Sequence, residues 1–321
     1  MVMRLPLATL LAGLILAGCA AFPGPQSGLE FDDNLDADAL FARTLAAHGG
    51  DLSDDPGDFN LAMTGTWRGA IVRIQPVVTD ADFRISAEER YRPAERLYAV
   101  RHEGPAGVKT VIRQGSDIRV YYNGEPETDP AILRATAMTT DAFELFHFGP
   151  SFIKRRAQTM TRLADRRETG VNYRRLHTVL RPGFGEAEKD EVVIWIDPRT
   201  DLVFRLHITL NGFETTQGAH VDTTFLEYHR LGPYVLPSRF EERVRGPIRI
   251  HAHDWWLTGA DRNRGWSGEQ VDAAEFKGSA AAAVTSSLLK NQQGSRVEQR
   301  PADHEHSDRG LPDPPALRPL P

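Results

Sequence analysis

Cysteine is almost missing from this 321-residue chain, with Cys19 the only one. No disulfide can form within the chain, so in an oxidising compartment its stability must come from a buried core. An excess of one charge is missing as well. The 38 basic and 44 acidic side chains leave a net charge of −6, without the positive surplus of a nucleic-acid binder. Long apolar runs are lacking beyond residues 5–17, so nothing else reads as a membrane span. Motifs of covalent chemistry are also lacking: there is no G-x-S-x-G elbow, no phosphate loop and no H-E-x-x-H. These absences point away from common hydrolases and nucleotide-binding enzymes, and no cofactor is expected.

What is present begins at the N-terminus. Cys19 follows Leu16-Ala17-Gly18, behind Arg4 and an apolar stretch from Leu5 to Ala17. A charged start, a short apolar segment and small residues at the cut make a secretory signal. A signal ending in Leu-Ala-Gly-Cys resembles a bacterial lipoprotein lipobox. The resemblance implies removal of residues 1–18, a diacylglyceryl group on the Cys19 thiol and an acylated new N-terminus. Each buried methylene contributes about 0.8 kcal/mol, so three acyl chains hold the protein on the membrane. In Gram-negative lipoproteins an Asp after the cysteine commonly means inner-membrane retention. By that resemblance Ala20 implies an outer-membrane anchor, with the body in the periplasm.

Residues 19–34 read as lipidated cysteine and tether, with Pro23, Pro25 and Gly28 opposing regular structure. A helix is predicted from Asp36 to His48. Leu40, Phe41, Thr44, Leu45 and His48 share one face, and Gly49-Gly50 stops it. From Asn60 the period becomes two: Leu61, Met63, Gly65, Trp67, Gly69 and Ile71 alternate with Thr64, Thr66 and Arg68. Phe83-Ile85-Ala87 and Leu202-Phe204-Leu206-Ile208-Leu210 repeat the pattern. Such alternation marks antiparallel strands with one dry face, and about eleven are predicted. Residues 130–155 read as an aromatic helix that Gly149-Pro150 breaks or ends. The folded domain is predicted over 35–268, and 269–321, rich in Ala and Pro, as a mostly disordered tail.

Two segments carry a family resemblance. They are Glu89-Arg90-Tyr91-Arg92-Pro93 and Val193-Ile194-Trp195-Ile196-Asp197-Pro198-Arg199-Thr200-Asp201-Leu202. The latter resembles the strand, Asp-Pro-x-Thr turn, strand hairpin of the LolA/LolB-like superfamily of lipoprotein carriers. Its turn has a physical basis: Pro198 presets φ, and the Asp197 carboxylate can cap turn amides. The resemblance implies a mainly antiparallel β fold, an incomplete curved β-barrel with helices plugging the open side. It also implies an apolar concave face that houses acyl chains. The expected liners are Leu61, Met63, Trp67, Ile71, Phe83, Ile85, Ile118, Val120, Tyr122, Phe204, Leu206, Ile208 and Phe225, with Phe143, Phe146 and Phe148 as a lid. Apolar residues at strand spacing also suit an ordinary core.

The expected function is non-catalytic binding of an acyl chain or other hydrophobic ligand, as a lipid or lipoprotein carrier, receptor or sensor. One alternative is a protein-interaction or envelope-regulatory module with a filled core and an envelope protein as partner. Another is a metal-dependent hydrolase using His220, Asp222 and the pair in His251-Ala252-His253-Asp254. Alternation puts His251 and His253 on one face, but in a meander the two groups stand roughly 9.6 Å apart, a strained span for one metal. The adjacent acidic pairs Asp54-Asp55, Glu88-Glu89 and Glu241-Glu242 read as solvated surface.

Overall fold

The computed structural model describes residues 21–29, 31, 33–185, 187–272, 275–284 and 289–290. Cys19, and with it the segment expected to be a lipobox, lies outside the described residues, as does the chain from 291 onward.

Helix α1 spans Ala37–Ala47, and the Asp36 carboxylate caps it by accepting from the Ala39 N–H at 2.7 Å. Leu40 and Thr44 face inward, as the spacing predicts. Strand β1, Phe59–Trp67, buries Phe59, Leu61 and Met63 and exposes Thr64 and Thr66. β2 (Ser86–Arg92), β3 (Leu97–Gly104), β4 (Gly107–Gln114), β5 (Asp117–Tyr122) and the short β6 (Glu125–Pro126) continue as a meander. After a long helix come β7 (Ala157–Glu168), β8 (Val171–Leu180), β9 (Asp190–Ile196), β10 (Val203–Thr209), β11 (His220–Leu231), β12 (Tyr234–Gly246) and β13 (Ile250–Arg262).

The sheet runs β6-β5-β4-β3-β2-β1-β13-β12-β11-β10-β9-β8-β7. Every neighbouring pair is antiparallel. The two meanders join where β1 meets β13, so β6 and β7 form the two ends of an open sheet. This is the expected incomplete curved barrel. A short β14, Leu289–Lys290, pairs with β11 outside this path.

The connection from β6 to β7 is the helix α4, Pro130–Arg156, which spans the open side. Its residues from Ala135 to Ile153 are buried, Thr139 excepted. Asp129 caps its start, accepting from the Ala131 N–H at 2.8 Å, and Pro130 occupies the first turn, where no N–H is needed. Gly149, at φ 8° and ψ −89°, breaks the helix just before Pro150, as predicted. Asp141, Glu144 and His147 tie α4 to the sheet. Arg113 reaches Asp141 at 3.1 Å, His147 Nε2 lies 3.1 Å from Glu89, and Tyr91 donates to Glu144.

Several local readings need correction. The chain leaves the sheet after Trp67 and forms helix α2, Gly69–Ile74, then α3, Pro76–Thr79, so Gly69 and Ile71 are helical. Ile71, Ile74 and Val78 recur at helical spacing, a signal that the preceding alternation obscures. Phe83 lies in a turn and β2 starts only at Ser86; consequently Ile85 is 40% exposed while Arg84 is buried. A bulge between Val203 and Arg205 turns Phe204 to the outer face, where it stacks on Tyr173 at 4.1 Å. The acidic pairs are not all solvated. Glu89 is 1% exposed, and Asp55 accepts from Tyr234 at 2.6 Å. The hairpin turn conforms to expectation, with the Arg199 N–H donating to Asp197 Oδ1 at 3.0 Å.

The domain also extends past residue 268. Val271, from helix α5 (Gly268–Asp272), and Phe276 cover Leu97, Ala99 and Ile112 on the outer face of β3 and β4. The Ala-rich segment pairs along β13: Ala260 N–H donates to Ala282 O at 2.8 Å, and Val284 N–H to Thr258 O at 2.9 Å. Three apolar side chains on the wet side of β3 and β4 require such cover.

Candidate functional site

Most of the concave face is filled. Leu61, Met63, Val120, Phe148, Leu206, Ile208 and Phe225 belong to one continuous packed core, with Ile118 and Tyr122 packed at its margin. Phe148 is no lid: it stacks on Tyr91 at 4.7 Å and meets Phe59 edge-on at 5.6 Å. Phe83 lies half-buried against Tyr122 at 4.7 Å.

At one end of the sheet the packing is incomplete, and a cavity of about 250 Å³ remains. Four expected residues, Trp67, Ile71, Phe143 and Phe146, line it. Leu61, Met63, Phe83, Ile85, Ile118, Val120, Tyr122, Phe148, Phe204, Leu206, Ile208 and Phe225 do not. Apart from Leu210, the rest of the wall comes from parts the alternating pattern did not single out. Ile74, Gln75 and Val78 enter from α2 and α3, and Met138, Thr139 and Ala142 from α4. Leu210, Val221, Val244 and Ile248 enter from the strand ends and their loops. The cavity is enclosed by α2 and α3, by α4 and by the strand ends together.

The rim is apolar. Ile74 is 50% exposed, Ile248 44% and the adjoining Val77 43%. Polar pairs in the lining are internally bonded: His253 Nε2 lies 3.3 Å from Glu242 Oε1, Thr223 donates to Glu242 Oε2 at 3.1 Å, and Thr215 donates to Gln75 Oε1 at 2.6 Å. Arg84 sits behind the wall, its guanidinium 5.1 Å from the Trp67 ring and 5.0 Å from the Phe143 ring. It donates to the carbonyls of Val78 and Thr79, and burial lowers its pKa. Nearby, burial pushes the Lys109 ammonium down to about 8, although Asp80 at 2.7 Å opposes the shift. An apolar hollow with few polar groups suits a hydrocarbon guest, and its volume lies just below the roughly 300–1,000 Å³ of ordinary ligand pockets.

The histidines do not converge. A bulge opposite Glu242 and Arg243 puts His253 on the inner face and His251 on the outer one, contrary to simple alternation. Ligand atoms of Glu241, His251 and Asp254 fall within 4.8 Å of one another, but Arg68 already binds Asp254. His207 and His220 meet at 2.6 Å on the outer face, apart from His253.

No protein-family model matches the chain, and no curated protein does. Solved structures do resemble it. A DUF1329 family protein from Desulfovibrio piger is 10% identical with a TM-score of 0.48, over 75% of this chain and 99% of that one. The LolA superfamily protein NE2245 from Nitrosomonas europaea is 10% identical with a TM-score of 0.45, over 74% and 98%. The Mycobacterium tuberculosis lipoprotein LppX is 11% identical with a TM-score of 0.26, over 72% and 98%. The likeness concerns the fold alone.

Proposed function

We propose that this chain is a bacterial envelope lipoprotein, anchored in the outer membrane through Cys19, whose half-barrel binds one hydrocarbon chain without covalent chemistry. The observation that carries the reading is the 250 Å³ hollow between α2, α3, α4 and the ends of β10–β13, with its exposed apolar rim. Apolar burial drives binding at about 25 cal/mol per Å² removed from water. The filled remainder of the concave face restricts the guest to that end, so the ligand is a single acyl chain rather than a several-chained lipoprotein anchor.

Native mass spectrometry of the full chain, incubated with palmitate, tests the proposal. One palmitate per chain is expected. Val244→Trp places an indole in the cavity from a half-buried position, and it should lower uptake at least tenfold while leaving the melting temperature within a few degrees. Equal uptake by the two proteins would remove the site from this cavity. No uptake by either would leave the protein-interaction reading.

A further inference from the structure

The outer face of the sheet carries a second cavity, of about 420 Å³, and its lining is unlike the first. Its floor is a rung across three strands: Arg175 on β8 pairs with Trp195 on β9, which pairs with Arg205 on β10. Arg166, Arg245 and Arg249 add to the wall, against two carboxylates, Glu168 and Asp222. Both carboxylates are already engaged. Arg205 holds Glu168 through two bonds of 2.8 and 2.7 Å, and Arg245 Nε lies 3.0 Å from Asp222. Five guanidiniums against two carboxylates leave a positive surplus in a concave site, and the Trp195 indole N–H has no partner among the described residues. Burial, then His220, then the field of Arg245, Arg205 and Arg175 push the neighbouring His207 down to about 3, so it adds no positive charge.

Ala21 and Pro23 form one side of this cavity. Two residues of extended chain span at most about 7 Å, so a lipid on Cys19 would hold the mouth against the bilayer surface. We infer that the pocket binds the phosphate of an anionic phospholipid headgroup in the membrane that anchors the chain. Guanidinium forks converging from several strands match a group with oxygens in several directions better than a planar carboxylate. The phosphate chemistry stands on the arginines; only the choice of a membrane source rests on the lipidation proposed above.

Isothermal titration of the full chain in neutral detergent tests this with tail-free probes, so that the acyl cavity does not contribute. Glycerophosphoglycerol should bind saturably, weaken as salt is added and bind at least tenfold more tightly than glycerophosphocholine. Arg166→Gln combined with Arg249→Gln, both at exposed positions, should weaken it at least tenfold with an unchanged circular dichroism spectrum. Inorganic phosphate binding as tightly as glycerophosphoglycerol would overturn the headgroup assignment in favour of a free phosphate site. Saturation by neither probe, or indifference to the double substitution, would overturn the site. Cys19→Ser should bind the same probes unchanged; retained binding in a protein that no longer partitions to membranes would separate this site from the anchor.

Discussion

Gly65 shows how closely this sheet is fitted. A Cβ there would stand 2.4 Å from the Trp255 ring, itself fully buried. Gly65→Ala should therefore destabilise the protein by about 1–3 kcal/mol through overpacking. Gly69, four residues on, meets nothing within 4 Å and starts α2. Gly69→Ala should be neutral or stabilising by about 0.4–1 kcal/mol through the unfolded chain. Urea melts of the two variants check the pair, and equal losses would contradict the packing described. In the sequence both glycines look alike, spaced along one apparent strand. What separates them is Trp255, nearly two hundred residues away, and no local pattern carries that.

Among the elements, α1 is held by His48. Its Nδ1 lies 3.1 Å from Val235 O, and the Val203 N–H donates to Nε2 at 3.1 Å. The bond to Nε2 needs a neutral ring, and burial keeps the imidazole down at about 4, against the ordinary 6.5. The unfolded ring therefore takes up its proton first as pH falls. Stability is full above pH 6.5 and declines toward pH 4, by about 3 kcal/mol at most. His48→Gln should weaken the fold at pH 7 yet remove that part of the decline, as urea melts at pH 7 and 4.5 would show. An identical pH dependence in both proteins would argue against His48 as the cause.

Elements of this kind were largely legible. The 3.6-residue period of α1, the aromatic α4 with its break at Gly149, and the Asp197-Pro198 hairpin follow from local spacing and turn chemistry. Bulges were not legible. An extra residue opposite Glu242 and Arg243 reverses the sense of every side chain beyond it, and the same happens at Phe204. The cavity was legible only through Trp67, Ile71, Phe143 and Phe146. Its other walls lie on two short helices, on α4 and on strand ends, where strand alternation carries little information.

At the scale of the molecule, the C-terminal segment is part of the fold. Val271 and Phe276 are at most 4% exposed and cover a patch on β3 and β4. Ending the chain at 267 instead of 284 uncovers that patch and forfeits two buried apolar side chains, about 3–6 kcal/mol as an upper figure. Thermal melts should show a fall of several degrees, with increased dye binding to exposed apolar surface. Equal melting temperatures for the two truncations would make the segment an ornament of the sheet.

The route of α4 has a mechanical result. It leaves one end of the sheet at Pro130 and enters the other at Ala157, with ion pairs to the wall between them. The two ends of the sheet are thus laced by a single helical cord, kinked at Gly149. The helix that walls the hollow through Met138, Ala142, Phe143 and Phe146 is therefore the same one that joins those two ends.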